Sequence, residues 1–247
     1  MEKTIRQLLL KFLGLSNYLQ LISTIYICAI RMGFLRKKYP EIFYLKQLIK
    51  PGFICVDIGA NVGYYSVQLS KLVNPGGHVY SVEPVPLFAK VFQRNCNKFA
   101  HKNVTLYQVA LGAEQREVTL ATPMMDGVFK HGLTHIVDGN NYMQGSATYK
   151  ANMVIADELF AGLEKIDFLK CDVEGYETIL FPQMINTIKR CMPIIQIEIN
   201  NPENIITLYE LLQLLGYKWH VLNNKRLEPI DKAEALKLAS GDFYLMP

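Results

Sequence analysis

From Pro51 onward, short β-branched runs alternate with amphipathic helical stretches, a pattern that only a largely parallel sheet with helices on both faces satisfies. The runs predict strands at 53–57, 78–82, 104–109, 166–171 and 194–199, with helices at 63–73, 87–100, 176–189 and 202–215 between or after them. Asn74-Pro-Gly-Gly77 is the turn that ends the first of these helices. The end of the chain departs from the repeat. Strands at 218–222 and 242–246 with a longer connection suit a reversed last strand. Residues 113–165 are polar and glycine-spotted, with strands expected at 117–121 and 148–155, and read as a hairpin-like insertion near the active site. The domain boundaries expected are therefore an N-terminal helical extension over 1–50 and a catalytic domain over 51–247.

The strongest local signal lies between the first strand and its helix, where Asp57-Ile-Gly59-Ala60-Asn61-Val-Gly63 places glycines at a strand-to-helix turn. Glycine lets the backbone turn sharply and a ligand approach closely. A dinucleotide loop reads G-x-G-x-x-G because a pyrophosphate must sit on the helix N-terminus. Here an acid replaces the first glycine. It would repel a pyrophosphate and attract the amino group of a methionyl moiety. Glu83 ends the second strand, 20 residues after Gly63, where a carboxylate can accept from both hydroxyls of an adenosine ribose. Together these features point to S-adenosyl-L-methionine rather than to NAD.

The acids Asp172, Glu174 and Glu177 follow the 166–171 strand directly, at the edge where open α/β sheets bind ligands. Methyl transfer to an alcohol needs a positioned nucleophile and an acceptor for its proton, and Asp172 or Glu174 suits that task. Glu174 and Glu177 equally suit the start of the next helix. Asp172, Glu198 and Asn200 could also form an oxygen site for Mg²⁺. In the insertion, His135 is the preferred histidine for general-base work, ahead of His131. Tyr64, Tyr65, Tyr142, Tyr149 and Tyr176 could stack on a sugar ring, although core or surface packing is the better default for each.

These motifs resemble the FkbM family of class I S-adenosylmethionine-dependent methyltransferases. The resemblance rests on VDIGANVGYYS at 56–66, VEP at 82–84, VALG at 109–112, DFLKCDVEGYE at 167–177 and the terminal DFYLMP. It implies a Rossmann-like, seven-stranded, mostly parallel sheet whose last strand is antiparallel. It also implies O-methylation of a hydroxyl on a sugar, a glycan or a small natural product. By motif, Asp57, Gly59, Ala60, Asn61 and Gly63 would surround the methionine end together with Asp172. Glu83 would hold the ribose, and Val109 and Ala110 would flank the adenine. Alternatives are a non-catalytic module that binds S-adenosylmethionine or an NAD-dependent oxidoreductase.

Charge and cysteine use narrow the setting. Residues 1–50 carry nine Lys or Arg against Glu2 and Glu41, whereas the remainder is slightly acidic. With no basic stripe interleaved with aromatics and no Asn-Pro-Pro-Tyr motif, nucleic acid is not expected as a partner. The run 12–30 is uncharged but interrupted by Ser16, Asn17, Gln20, Ser23 and Thr24, and no small-residue cleavage site follows it. Two helices are expected there, the first ended by Gly14 and the second capped by Ser16 or Asn17. They would either cover one edge of the domain, contact a membrane peripherally through residues 1–40 with Arg31, Arg36, Lys37 and Lys38, or cross it. Five cysteines without a C-x-x-C pair suit a reduced, cytoplasmic protein, here one at the inner face of the membrane if that contact is made. Cys55 and Cys171 read as core residues.

Overall fold

The computed structural model describes residues 2–125, 128–137 and 142–247. Helices α1 (Glu2–Arg31) and α2 (Pro40–Leu48) lead into β1 (Ile54–Ile58), α3 (Tyr64–Val73), β2 (His78–Val82), α4 (Pro86–Phe99) and β3 (Val104–Tyr107). A second group follows: β4 (Ala110–Gly112), β5 (Arg116–Thr122), the short pair β6 (Met124–Met125) and β7 (Val128–Phe129), β8 (His135–Val137), β9 (Ala147–Ile155) and α5 (Ala156–Leu159). The main alternation then resumes with β10 (Phe168–Cys171), α6 (Glu177–Leu180), α7 (Ile185–Cys191), β11 (Ile194–Ile199) and α8 (Pro202–Gln213). It closes with β12 (Lys218–Asn223), β13 (Arg226–Pro229), α9 (Lys232–Leu238) and β14 (Gly241–Met246).

The main sheet runs β13-β12-β14-β11-β10-β1-β2-β3. Neighbours from β11 to β3 are parallel, and β14 inserts antiparallel between β11 and β12. The expected seven strands, including the reversed last one, are all present. An eighth, β13, folds back on β12 through Asn224 and Lys225 at φ 45° and 66°, the two left-handed positions of a tight hairpin turn. The central strands are buried on both faces: Val56, Ile58, Leu169, Cys171, Ile195 and Ile197 share one apolar face and are at most 1% exposed, as is Cys55 on the other, where Asp57, Lys170 and Gln196 form a buried polar row. Burial of each such aliphatic side chain is worth roughly 1.5–3 kcal/mol, so this strip anchors the sheet. Cys55 and Cys171 are core residues, as expected.

Two expectations change. The helix predicted at 176–189 is broken into α6, a 3₁₀ turn at Phe181–Met184 and α7, because Pro182 lacks the N–H and its ring crowds the preceding turn. The strand predicted at 104–109 stops at Tyr107. The chain leaves the main sheet there, and β4 joins a separate four-stranded sheet, β4-β9-β5-β8, in which β5 and β9 carry the strands expected inside 113–165.

Gly14 interrupts α1 with a non-helical φ of 70° and ψ of 162°, so the segment is two helices joined by a kink. Asn17 donates to the carbonyl of Leu13, which serves the end of the first helix rather than the start of the second. The second half is fastened to the domain by Asn95 on α4. Its amide accepts from Gln20 (2.6 Å) and donates to Ser23 (2.9 Å) and to the Val62 carbonyl beside the glycine loop (2.8 Å). Tyr18, Leu19, Ile27 and Ile30 are buried along that seam, whereas Phe12 is 82% exposed, and Ile25, Met32 and Phe34 also face solvent. Residues Leu8–Arg31 are long and apolar enough to cross a membrane by length and composition.

Candidate active site

Register builds the site. Ile58 pairs with Val82 on one side and with Cys171 on the other, so the next residues, Gly59, Glu83 and Asp172, emerge side by side at three adjacent strand ends. Gly59 turns at φ +78°, and a Cβ there would stand 1.8 Å from the Asp172 carbonyl oxygen. Only glycine fits this approach. The N–H groups of Gly59 and Ala60 donate to the Val82 carbonyl, Asn61 takes the left-handed conformation that asparagine tolerates, and Gly63 begins α3 at φ +91°.

A cleft of about 110 Å³ opens over these strand ends. Of the residues expected at a cofactor, Gly59, Asn61, Glu83, Val109, Ala110 and Asp172 line it, joined by Glu174 and His135. Asp57, Ala60 and Gly63 do not. The Asp57 carboxylate, expected to face a methionyl amine, is 2% exposed and turned under α3, where Ser66 donates to it and in turn contacts Ser81 at 2.9 Å. Its part is to hold the loop to the helix. Burial pushes its pKa up to about 6.

Glu83 is the hinge of the cleft. One carboxylate oxygen accepts from the Asn61 N–H (2.8 Å), the other from the Val85 N–H (2.7 Å), and the side chain is 4% exposed. Each oxygen keeps a second lone pair for a ligand hydroxyl, which is what a ribose diol requires. Val109, Ala110 and Leu111 supply an apolar wall suited to a flat base, and Asp172 with Glu174 puts carboxyl groups at the other end. The residues present therefore fit an adenosine bearing a cationic amino acid. Burial raises Glu83 to about 7.

The acids after β10 surround a lysine. Lys170 is 2% exposed, lies 5.2 Å from the centre of the Tyr65 ring and places its Nζ 3.7 Å from Asp172. Burial opposes its charge, but Asp172, Asp242 and Glu198 outweigh it and hold the ammonium protonated. This corrects the Mg²⁺ expectation: the positive charge among Asp172 and Glu198 is the lysine's own. Asn200 instead donates to Glu174 at 3.1 Å, and the described residues contain no group of three or more His, Cys, Asp or Glu able to hold a metal ion. Glu174 is raised to about 8 by burial and then by its acidic neighbours, so near neutral pH it carries a proton and is a poor base. Glu198 is raised to about 7 by burial and by Asp172. Glu177 accepts the Gly175 N–H at 3.1 Å and serves the turn into α6.

The histidines change order. His135 lines the cleft but is largely exposed, its Nδ1 held by the Leu133 carbonyl. His131 lies deeper, in a 3₁₀ turn (His131–Leu133) laid over the glycine loop. Asn61 Nδ2 donates to its carbonyl (2.9 Å), and its ring Nδ1 meets Asn61 Oδ1 (3.0 Å). Sequence spacing gave no sign of this pairing, which spans 70 residues.

The sequence profile of the FkbM methyltransferase domain matches residues 57–219, from the glycine loop to the start of β12. The chain belongs to the FkbM methyltransferase family. A solved FkbM methyltransferase from Methylobacillus flagellatus superposes with a TM-score of 0.51 at 13% identity, covering 83% of this chain and 50% of that one, which shows the shared fold. Among curated proteins, the protein-L-isoaspartate O-methyltransferases of Methanothrix thermoacetophila and Aeropyrum pernix are 33% and 38% identical over 58 and 65 residues. Those matches take in 24% and 26% of this FkbM chain, which spans only 28% and 25% of the relatives' length.

The raised carboxyls set a pH dependence. Asp57, Glu83, Glu174, Glu198 and Glu41, the last raised to about 7 by burial, keep protons in the folded protein at pH values where the unfolded chain has lost them. The folded state thus binds more protons between about pH 4.5 and 8, and stability falls as pH rises through that window. Thermal unfolding of the ligand-free protein should show a higher Tm at about pH 5.5 than at about pH 8. The opposite order would contradict these assignments.

Proposed function

We propose that the protein is an S-adenosylmethionine-dependent methyltransferase that methylates a hydroxyl oxygen of a sugar, glycan or small natural product. The observation that carries the reading is Glu83, buried beside the glycine loop with both oxygens fixed by backbone N–H groups and both able to accept again. S-adenosylmethionine supplies an electrophilic methyl group when bound. Gly59 and Asn61 shape the floor, Glu83 orients the nucleoside, Asp172 attracts its ammonium with Glu174 beside it, and the insertion strands wall off water. An oxygen acceptor agrees with the O-methylation for which the curated relatives are named. Calorimetry should detect binding of S-adenosylhomocysteine, and Glu83→Ala should weaken it at least about tenfold, since hydrogen bonds to a charged group contribute about 1.5–3 kcal/mol. If the wild-type protein binds neither S-adenosylmethionine nor its demethylated product, the reading fails.

We also propose that the outer side of α1 rests on an anionic membrane at its cytoplasmic face. Phe12 and Ile25 on α1 and Met32 and Phe34 just after it are exposed, and so are Arg31, Arg36, Lys37 and Lys38. Apolar insertion with basic flanks is the chemistry of a peripheral helix. Co-sedimentation with phosphatidylglycerol vesicles should be strong, weaken with salt and drop in Phe12→Glu/Ile25→Glu. Equal binding to phosphatidylcholine vesicles, or none to either, would contradict it.

A further inference from the structure

A second cleft, about 340 Å³, lies between α1 and the His131–Leu133 turn. Its walls hold four tyrosines, Tyr18, Tyr26, Tyr39 and Tyr64, and it shares His131 and Gly132 with the cofactor cleft. The two clefts thus meet at this turn. Tyr26 stands at the centre of the aromatic wall, its ring 6.0 Å from that of Tyr64 and 6.3 Å edge-on from that of Tyr39. Lys38 leans over Tyr26 and Tyr39 at 5.3 and 5.1 Å and reaches the Tyr26 hydroxyl at 3.4 Å. Aromatic faces suit the C–H faces of a sugar ring, while phenol and ammonium groups suit its hydroxyls.

The turn has a defined chemical state. Asn61 Nδ2 donates to the His131 carbonyl, so its Oδ1 is an acceptor and the opposing His131 Nδ1 must carry the hydrogen. A neutral ring with Nδ1–H leaves Nε2 as a bare lone pair, and among the described residues no hydrogen bond occupies it. The turn is held further by Thr134, which donates to the same carbonyl at 3.0 Å, and the ring packs edge-on to Phe88 at 6.0 Å. Desolvation lowers the ring's pKa from its ordinary value and so favours the neutral ring from which a general base starts.

Resting on the methyl-transfer reading above, we propose that the tyrosine cleft receives the ring of a sugar acceptor and that Nε2 of His131 takes the proton of the hydroxyl being methylated. The hydroxyl oxygen forms the new C–O bond as the methyl carbon's bond to sulfur breaks and its electron pair returns to sulfur. The hydroxyl proton passes to Nε2, giving an imidazolium that later releases it to solvent. The products are a methyl ether and S-adenosylhomocysteine. His131, which the sequence ranks behind His135, is then the catalytic base, and Asn61 is the residue that positions it.

The test uses the full chain saturated with S-adenosylhomocysteine and a panel of methyl glycosides as probes. Saturation-transfer NMR should show contact with at least one glycoside, and the contact should be lost in Tyr26→Ala and in Leu133→Trp, which fills the cleft from an exposed position without disturbing the core. Tyr26→Phe keeps the ring packing if the alanine variant does not fold, and should weaken the contact. In ¹⁵N-histidine spectra, His131 should show a protonated Nδ1 and a bare Nε2 whose resonance moves when that glycoside is added. With S-adenosylmethionine and the bound glycoside, His131→Gln should slow methyl transfer at least about 100-fold, the lower end for general-base catalysis. The proposal is overturned if no glycoside contacts the protein, if Leu133→Trp leaves contact unchanged, if the proton sits on Nε2, or if His131→Gln costs less than tenfold. S-adenosylhomocysteine that binds while these arms fail sinks this proposal alone; failure of S-adenosylhomocysteine to bind sinks the function reading itself.

Discussion

A buried carboxylate that accepts two backbone N–H groups determines much of what this chain can do. Glu83 fixes the N–H of Asn61 and so the path of the glycine loop. The Asn61 side chain then fixes the His131 turn, and that turn lines both the cofactor cleft and the tyrosine cleft. Parallel register sets the glycine loop after β1 beside Glu83 at the end of β2, and the insertion carries His131 over the loop. Two charge-assisted hydrogen bonds partly offset the desolvation of Glu83, whose pKa remains raised to about 7.

A second group of acids is organised by charge. Lys170 sits beneath Asp172, Glu198 and Asp242, supplying from within the sheet the cation that a metal would otherwise bring. Removing one partner of such a buried set is costly, because it leaves the others uncompensated. Glu174, in the left-handed region at φ 53° and raised to about 8, lies at the end of this cluster, where a ligand's ammonium would favour its ionised form. Ligand binding and the protonation of the cleft are therefore linked.

Much of this was legible in the sequence because β-branched runs and glycine spacing report local geometry directly. The parallel strands, the reversed β14 and the kink at Gly14 follow from that local chemistry. So does the juxtaposition of Gly59, Glu83 and Asp172. What escaped depended on contacts distant in sequence. Asp57 has a carboxylate in the right motif, but Ser66 and Ser81 draw it inward. His131 and His135 look interchangeable until Asn61 selects one of them. Pro182 breaks a stretch whose apolar spacing otherwise suits one continuous helix, while Asn224 and Lys225 form a tight turn without the glycine that usually announces one.

If Glu83 and the loop it braces hold the adenosine, its sulfur end reaches Asn61 and Asp172. A crystal structure with S-adenosylmethionine bound should then show both ribose hydroxyls within hydrogen-bonding distance of Glu83, the adenine against Val109, Ala110 and Leu111, and the methionyl ammonium near Asp172 and Glu174. A nucleoside bound elsewhere, or one that reaches this cleft with its ribose turned away from Glu83, would contradict it.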